Sequence, residues 1–115
     1  MSLSQLAFIF MTVIALSIGQ ILFKMVSSGL EFSPMGLING LLNLKFFIAI
    51  VVYFVATIMW LFVLKATPLR VAYPFVALSF VIVPILAHFF LGESINWNTF
   101  AGAGFILIGI WVSVY

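Results

Sequence analysis

Few of the 115 side chains could do chemistry. The formal charges are Lys24, Lys45, Lys65 and Arg70 against Glu31 and Glu93, with His88 as the one histidine. No paired carboxylate, phosphate-binding loop or nucleophile elbow is present, so the composition gives no footing for an enzyme. The absence of cysteine removes disulfides, thiolate metal sites and cysteine nucleophiles. His88 has neither a carboxylate nor a second histidine beside it in sequence, so it makes no metal site; it reads as a neutral interfacial or buried histidine, with a proton-sensitive group as the alternative. No cofactor is expected. The basic excess comes from four residues against two and makes no case for nucleic acid.

Spacing is more informative than count. Ser17, Gln20, Lys24 and Ser27 recur at steps of three, four and three, which puts them on one side of a helix. Such a stripe is costly against lipid and should face protein or a water-filled cavity. The plainer alternative has Lys24 snorkelling to the interface while Gln20 bonds a neighbouring helix. Tyr53 and Thr57 lie four apart with Trp60 one turn on, as packing residues or as ligand contacts. Tyr73 precedes Pro74, whose missing amide hydrogen bends a helix and frees a carbonyl one turn earlier, a feature of gates and of plain structural kinks alike. Glu93 follows Gly92 at a turn, where a charge is tolerable. Gly102, Gly109 and Ser113 form a smooth stripe for close helix approach, within the subunit or between subunits.

The elements that must carry these residues are marked by the charges themselves. Ser2 to Phe23, Phe46 to Leu64, Val71 to Gly92 and Ser94 to Tyr115 are free of Asp, Glu, Lys and Arg. A charge at the bilayer centre costs at least about 2.5–3.5 kcal/mol, and a span needs roughly 20 apolar residues. A mean hydropathy of +1.45 with 67% hydrophobic and 5% charged residues agrees: lipid is the solvent. An all-α integral membrane protein is expected, a single four-helix transmembrane domain over residues 1–115. Met1 to Gln5 contain no basic residue, so the first run reads as an integral helix rather than a cleavable signal. Ser33 to Leu44 is too short to cross and reads as an interfacial half helix after Pro34, or as an early start to the second span. Short connections, Lys65 to Arg70 and Gly92 to Asn96, predict that spans two, three and four pack as an antiparallel meander. The Lys and Arg counts at the two ends are nearly even, giving a slight preference for cytoplasmic termini and the prospect of pairing with an inverted copy.

The run from Leu61 through Lys65, Pro68, Arg70 and Ala72-Tyr73-Pro74, then Leu91-Gly92-Glu93 and a Gly-rich last helix, resembles the drug/metabolite transporter superfamily. Within it, the chain is similar to the four-helix small multidrug resistance proteins and to the EamA-like subunits that flip aminoarabinose attached to undecaprenyl phosphate. The first helix separates the two branches. The drug exporters carry a glutamate two turns before a lysine, whereas here the residue eight before Lys24 is Leu16. Gly19, Gln20 and Lys24 instead match the Gly-Gln-x-x-x-Lys pattern of the lipid-sugar flippase subunits.

That resemblance implies a transporter of a polyprenyl-phosphate-linked sugar in the bacterial inner membrane. It would act as a homodimer, or as a heterodimer with a sister subunit, among membrane lipids. Lys24 would pair with the phosphate, and Gln20, Ser17 and Tyr73 would bond sugar hydroxyls along a groove, with Tyr53 and Glu93 as further substrate-binding residues. Lys65 or Arg70 would receive the phosphate at the opposite face. Pro74 would serve the gate, and Gly102, Gly109 and Ser113 the dimer contact. Two alternatives remain: an exporter of small cations or metabolites, and a non-transporting membrane subunit of a glycosyltransferase system.

Overall fold

The computed structural model describes residues 2–30 and 32–114; Met1, Glu31 and Tyr115 lie outside the described residues. Among the described residues six helices follow in chain order: α1 (Leu3–Ser27), α2 (Pro34–Leu41), α3 (Leu44–Ala66), α4 (Leu69–Val76), α5 (Ser79–Leu91) and α6 (Trp97–Val114). Four segments of the described residues are long and apolar enough to cross a membrane: α1, α3, α4 with α5 as one span, and α6. The expected all-helical, four-span architecture with a short extra helix in the first loop is therefore present.

Local chemistry explains the boundaries. Ser2 and Gln5 form a reciprocal capping box that opens α1, Ser33 caps α2 with Pro34 behind it, and Asn43 caps α3. α3 ends because Thr67 precedes Pro68 and takes an extended conformation, φ −134° and ψ 134°. α5 ends on Gly92 at φ +72°, the left-handed conformation that glycine adopts without steric cost. The half helix is α2, largely exposed, with Gly40 leaving a seat for the Leu30 side chain.

The third span is broken between its two prolines. Ala77 and Leu78 close i→i+3 bonds to Pro74 and Phe75 at 3.0 Å, so one tight turn separates α4 from α5. Pro74 itself stands inside α4, so the helical bonding is interrupted a few residues past the proline rather than at it.

Packing is inside-out relative to a water-soluble bundle. Large apolar side chains line the outside, while α3 buries Ala49, Ala56 and Val63, one residue every seven. That period is the one that keeps a seam facing a partner helix crossing at a shallow angle. The partner is α1, which buries Ile9, Thr12, Val13, Ser17, Gly19, Ile21 and Val26. At Gly19 an added Cβ would stand 2.9 Å from Cδ2 of Tyr53, so the missing side chain is what lets the Tyr53 ring lie against α1.

Of the predicted meander, spans three and four do pack as neighbours, but spans two and three do not. α1 lies in the middle, packed chiefly on α3 and next on α5; α6 packs on α4 and α5, and α3 barely touches α4. Lipid offers no hydrophobic drive to pair sequence neighbours, so the smoothest surfaces meet instead, and those are the small-residue seam of α3 and the Gly19 face of α1. The main buried cluster, Ile9, Val13, Val63, Ala72 and Phe75, sits toward the α3–α4 turn.

Candidate functional site

Parity of the spans sends the charges to two ends. Lys65 and Arg70 flank the α3–α4 turn and are exposed there. Lys24, in the last turn of α1, Lys45, in the first turn of α3, and Glu93, just past α5, gather at the other end. These three line one cavity of about 350 Å³ with Met25, Ser28 and Leu91. Sequence reasoning named Lys24 and Glu93 but used Lys45 only to weigh orientation. Counting spans would have placed all three together.

Glu93 is held by its backbone. Its amide donates to the Ala87 carbonyl at 3.3 Å, part of the left-handed Gly92 cap, and its carbonyl lies 2.8 Å from Nδ1 of His88. A carbonyl can only accept, so Nδ1 carries the hydrogen of that bond. His88 is thus a clamp on the turn that bears Glu93, a role its isolation in sequence did not suggest.

A second hollow, about 190 Å³, lies further along the bundle, lined by Leu16, Tyr53, Thr57, Trp60, Tyr73 and Val76. It unites Tyr53 and Tyr73, two of the expected contacts, with Leu16, the position at which the cation exporters carry glutamate. Phe23 packs against the Tyr53 ring at 5.3 Å, and Thr57 donates to the Tyr53 carbonyl at 2.8 Å. The hydrogen of that Thr57 hydroxyl is therefore already engaged.

Leu16, Gln20 and Lys24 are spaced by four along α1 and share one side of it, so Gln20 stands midway between hollow and cavity. Eight residues at 1.5 Å rise separate the ends of this line by about 12 Å. Gln20 and Lys24 are exposed, whereas Ser17 is fully buried and donates to the Val13 carbonyl at 2.8 Å. Within one chain, Ser17 offers no surface to a ligand.

The opposite face of the third span carries the remaining features. Tyr73 and Pro74 border a groove of about 360 Å³ whose other wall holds Gly109 and Ser113 of α6. An added Cβ at Gly102 or Gly109 would meet nothing within 4 Å, so this stripe is open in the single chain. Among the described residues no group of three or more His, Cys, Asp or Glu could hold a metal ion.

The family model described as the EamA-like transporter family matches residues 1–115. Among curated proteins, the chain is 40% identical over 58 residues to "Probable 4-amino-4-deoxy-L-arabinose-phosphoundecaprenol flippase subunit ArnE" of Pectobacterium atrosepticum, covering 50% of this chain and 51% of that protein. It is 35% identical over 68 residues to the subunit named ArnF of Proteus mirabilis, covering 57% and 51%. The ArnF subunit of Photorhabdus laumondii is 39% identical over 62 residues, covering 52% and 49%. The chain spans about half the length of the curated relatives it matches. No solved structure matches.

Proposed function

The chain belongs to the EamA-like transporter family, and we propose that it moves a polyprenyl-phosphate-linked sugar across the bacterial inner membrane. The observation that carries this reading is the convergence of Lys24 and Lys45 on one cavity at a span end, continued along α1 by Gln20 to an aromatic hollow without a carboxylate. A lipid-linked sugar suits that layout. Its phosphate stays near headgroup level, where two ammonium groups can neutralise it, and charge-assisted hydrogen bonds are about twice as strong as neutral ones. The sugar reaches inward along Gln20 toward Tyr53 and Tyr73, and the polyprenyl tail remains in lipid.

Lys65 and Arg70 receive the phosphate at the far end of the path. The Pro74 region and the break after it allow the third span to bend between the two exposures, as discontinuous helices do in other transporters. Four helices enclose little, and α6 buries none of its residues. The working unit is therefore a dimer, either two copies or this chain with a sister subunit, joined through Gly102, Gly109 and Ser113. The test is flipping of a fluorescent polyprenyl phosphate sugar in proteoliposomes. Lys24→Ala lowers the rate at least about tenfold, the scale of one hydrogen bond to a charged group; an unchanged rate refutes the phosphate role.

The aromatic lining of the inner hollow favours one second reading, export of small cations held over the Tyr53, Trp60 and Tyr73 rings. Proton-coupled uptake of a cationic dye by the wild-type protein would establish that reading over the first.

A further inference from the structure

Among the described residues the buried polar side chains are Thr12, Ser17 and Thr67. The first two donate their hydroxyls to the Phe8 and Val13 carbonyls of their own helix. Thr67 has no such recourse. It caps α3 in an extended conformation, and its own amide takes the Val63 carbonyl at 2.9 Å, the acceptor that a helical threonine's hydroxyl would use. The Thr67 hydroxyl is left without a protein partner among the described residues, although the residue is only 5% exposed. A position before proline asks for an extended backbone, which valine supplies as well, so the backbone does not account for a hydroxyl that is costly to leave unpaired. Among the described residues no side-chain nitrogen or oxygen is sealed in without a partner, so this hydroxyl opens onto the cavity that Thr67 lines.

That cavity, about 380 Å³, lies between the start of α1 and the end of α3, and its polar lining is Ser4, Gln5 and Thr67, with no formal charge. Gln5 adds a second donor. Its Oε1 accepts from the Ser2 amide at 3.2 Å, which leaves the hydrogens on Nε2 unengaged. Phe8 and Ile9, about one turn further along α1, and Phe62, little more than a turn back on α3, make the inner wall apolar. Polarity therefore falls from the membrane face inward over about 5 Å. Lys65 and Arg70, exposed on either side of Thr67 in sequence, mark the headgroup level beside it.

We propose that this cavity seats the glycerol-ester region of a glycerophospholipid from the surrounding bilayer, an ester carbonyl accepting from the Thr67 hydroxyl and the Gln5 side-chain amide. Two donors without a formal charge suit a neutral acceptor. A glycerophospholipid carries its ester carbonyls just below the phosphate, at the depth where this lining turns from polar to apolar, and the first methylenes of its acyl chain then lie against Phe8 and Phe62. A polyprenyl phosphate has no carbonyl between phosphate and hydrocarbon, so this seat is separate from the path of a transported lipid and does not depend on the function proposed above.

The test is a binding titration of the full chain in maltoside micelles, read by native mass spectrometry. The probes are phosphatidylglycerol with ester-linked chains and its ether-linked analogue, which keeps the headgroup and the chains but lacks both carbonyls. The ester lipid should bind about fivefold more tightly, the scale of one neutral hydrogen bond. Thr67→Val keeps the shape and the extended backbone; it should bring the two lipids within about twofold and leave the affinity for the ether lipid unchanged. Equal binding of both by the wild type, or binding of neither, overturns the proposal without any variant having to fold. A Thr67→Val protein that keeps the full ester preference overturns the assignment to this cavity. Decaprenyl phosphate should fail to displace the ester lipid; displacement mole for mole would make the cavity part of the transport path and overturn the separate seat.

Discussion

Replacing Gly19 by alanine puts a methyl group 2.9 Å from Cδ2 of Tyr53, with Cβ and Cγ of the same side chain at 3.6 and 3.7 Å. The ring has little room to retreat, because Phe23 packs against it at 5.3 Å and its own helix is seamed to α1 through Ala49, Ala56 and Val63. Overpacking of this kind costs about 1–3 kcal/mol. In water, part of that would be offset by alanine's better helix propensity, about 1 kcal/mol over glycine. In lipid the offset shrinks, since a span separated from its partners stays helical to satisfy its backbone, and propensity then cancels between the two states. The net expectation is therefore a loss of about 1–3 kcal/mol in α1–α3 association. Measured as unfolding of the purified protein in mixed micelles, Gly19→Ala should be destabilised, and in a Tyr53→Ala background the added cost of Gly19→Ala should largely vanish. A Gly19→Ala protein as stable as wild type, or a double variant whose cost is the sum of the singles, would refute the contact and with it the placement of Tyr53 on the inner hollow.

Lys45→Ala should weaken binding of a polyprenyl phosphate about tenfold in a nanodisc titration, even though Lys45 lies outside the polar stripe of α1. Leu16→Glu should destabilise the bundle by at least about 2.5–3.5 kcal/mol in a micelle unfolding assay. The same variant should bind a cationic dye by fluorescence, with binding lost as pH falls and the new carboxyl becomes protonated. Gly92→Ala forces a side chain into φ +72° at a cost of about 1–2 kcal/mol, so the midpoint of thermal unfolding should fall. Pro74→Ala restores an amide that can bond the Arg70 carbonyl and stiffens the third span; flipping in proteoliposomes should slow while equilibrium binding of the lipid holds.

The number of spans was readable because the penalty for charge in hydrocarbon is large and local, so six charged residues marked the seams. Lys24 does not close its helix: α1 runs on to Ser27, as the stripe ending at Ser27 implied, since a lysine in the last turn suits the negative end of the helix dipole and its stem can lie along lipid. Neighbour order was misread because short loops constrain only the helix ends they join. The Thr67–Pro68 turn brings α3 and α4 together at one point, and the seam of Ala49, Ala56 and Val63 then sends α3 to α1. That seam was visible in the sequence as a period of seven among small residues, but it was hidden among larger apolar neighbours. At the site, the stripe on α1 was legible as a stripe and misleading as a set, for burial divides Ser17 from Gln20 and Lys24. Lys45 and the His88 clamp could not be found from spacing, because each acts across a turn or between spans.

The central place of α1 bears on how the bundle is assembled. α1 is synthesised before α3 and α5, so the helix on which both depend must wait in the bilayer with Thr12 and Ser17 facing no partner. These two buried hydroxyls are provided for in advance, since Thr12 donates to the Phe8 carbonyl and Ser17 to the Val13 carbonyl, each at 2.8 Å within the helix. An asparagine or a glutamine at either position would have no such internal partner and would seek the first polar group to arrive. Self-satisfied hydroxyls make α1 a patient template: inert toward lipid and toward wrong neighbours, and receptive only to a surface smooth enough to fit beside Gly19.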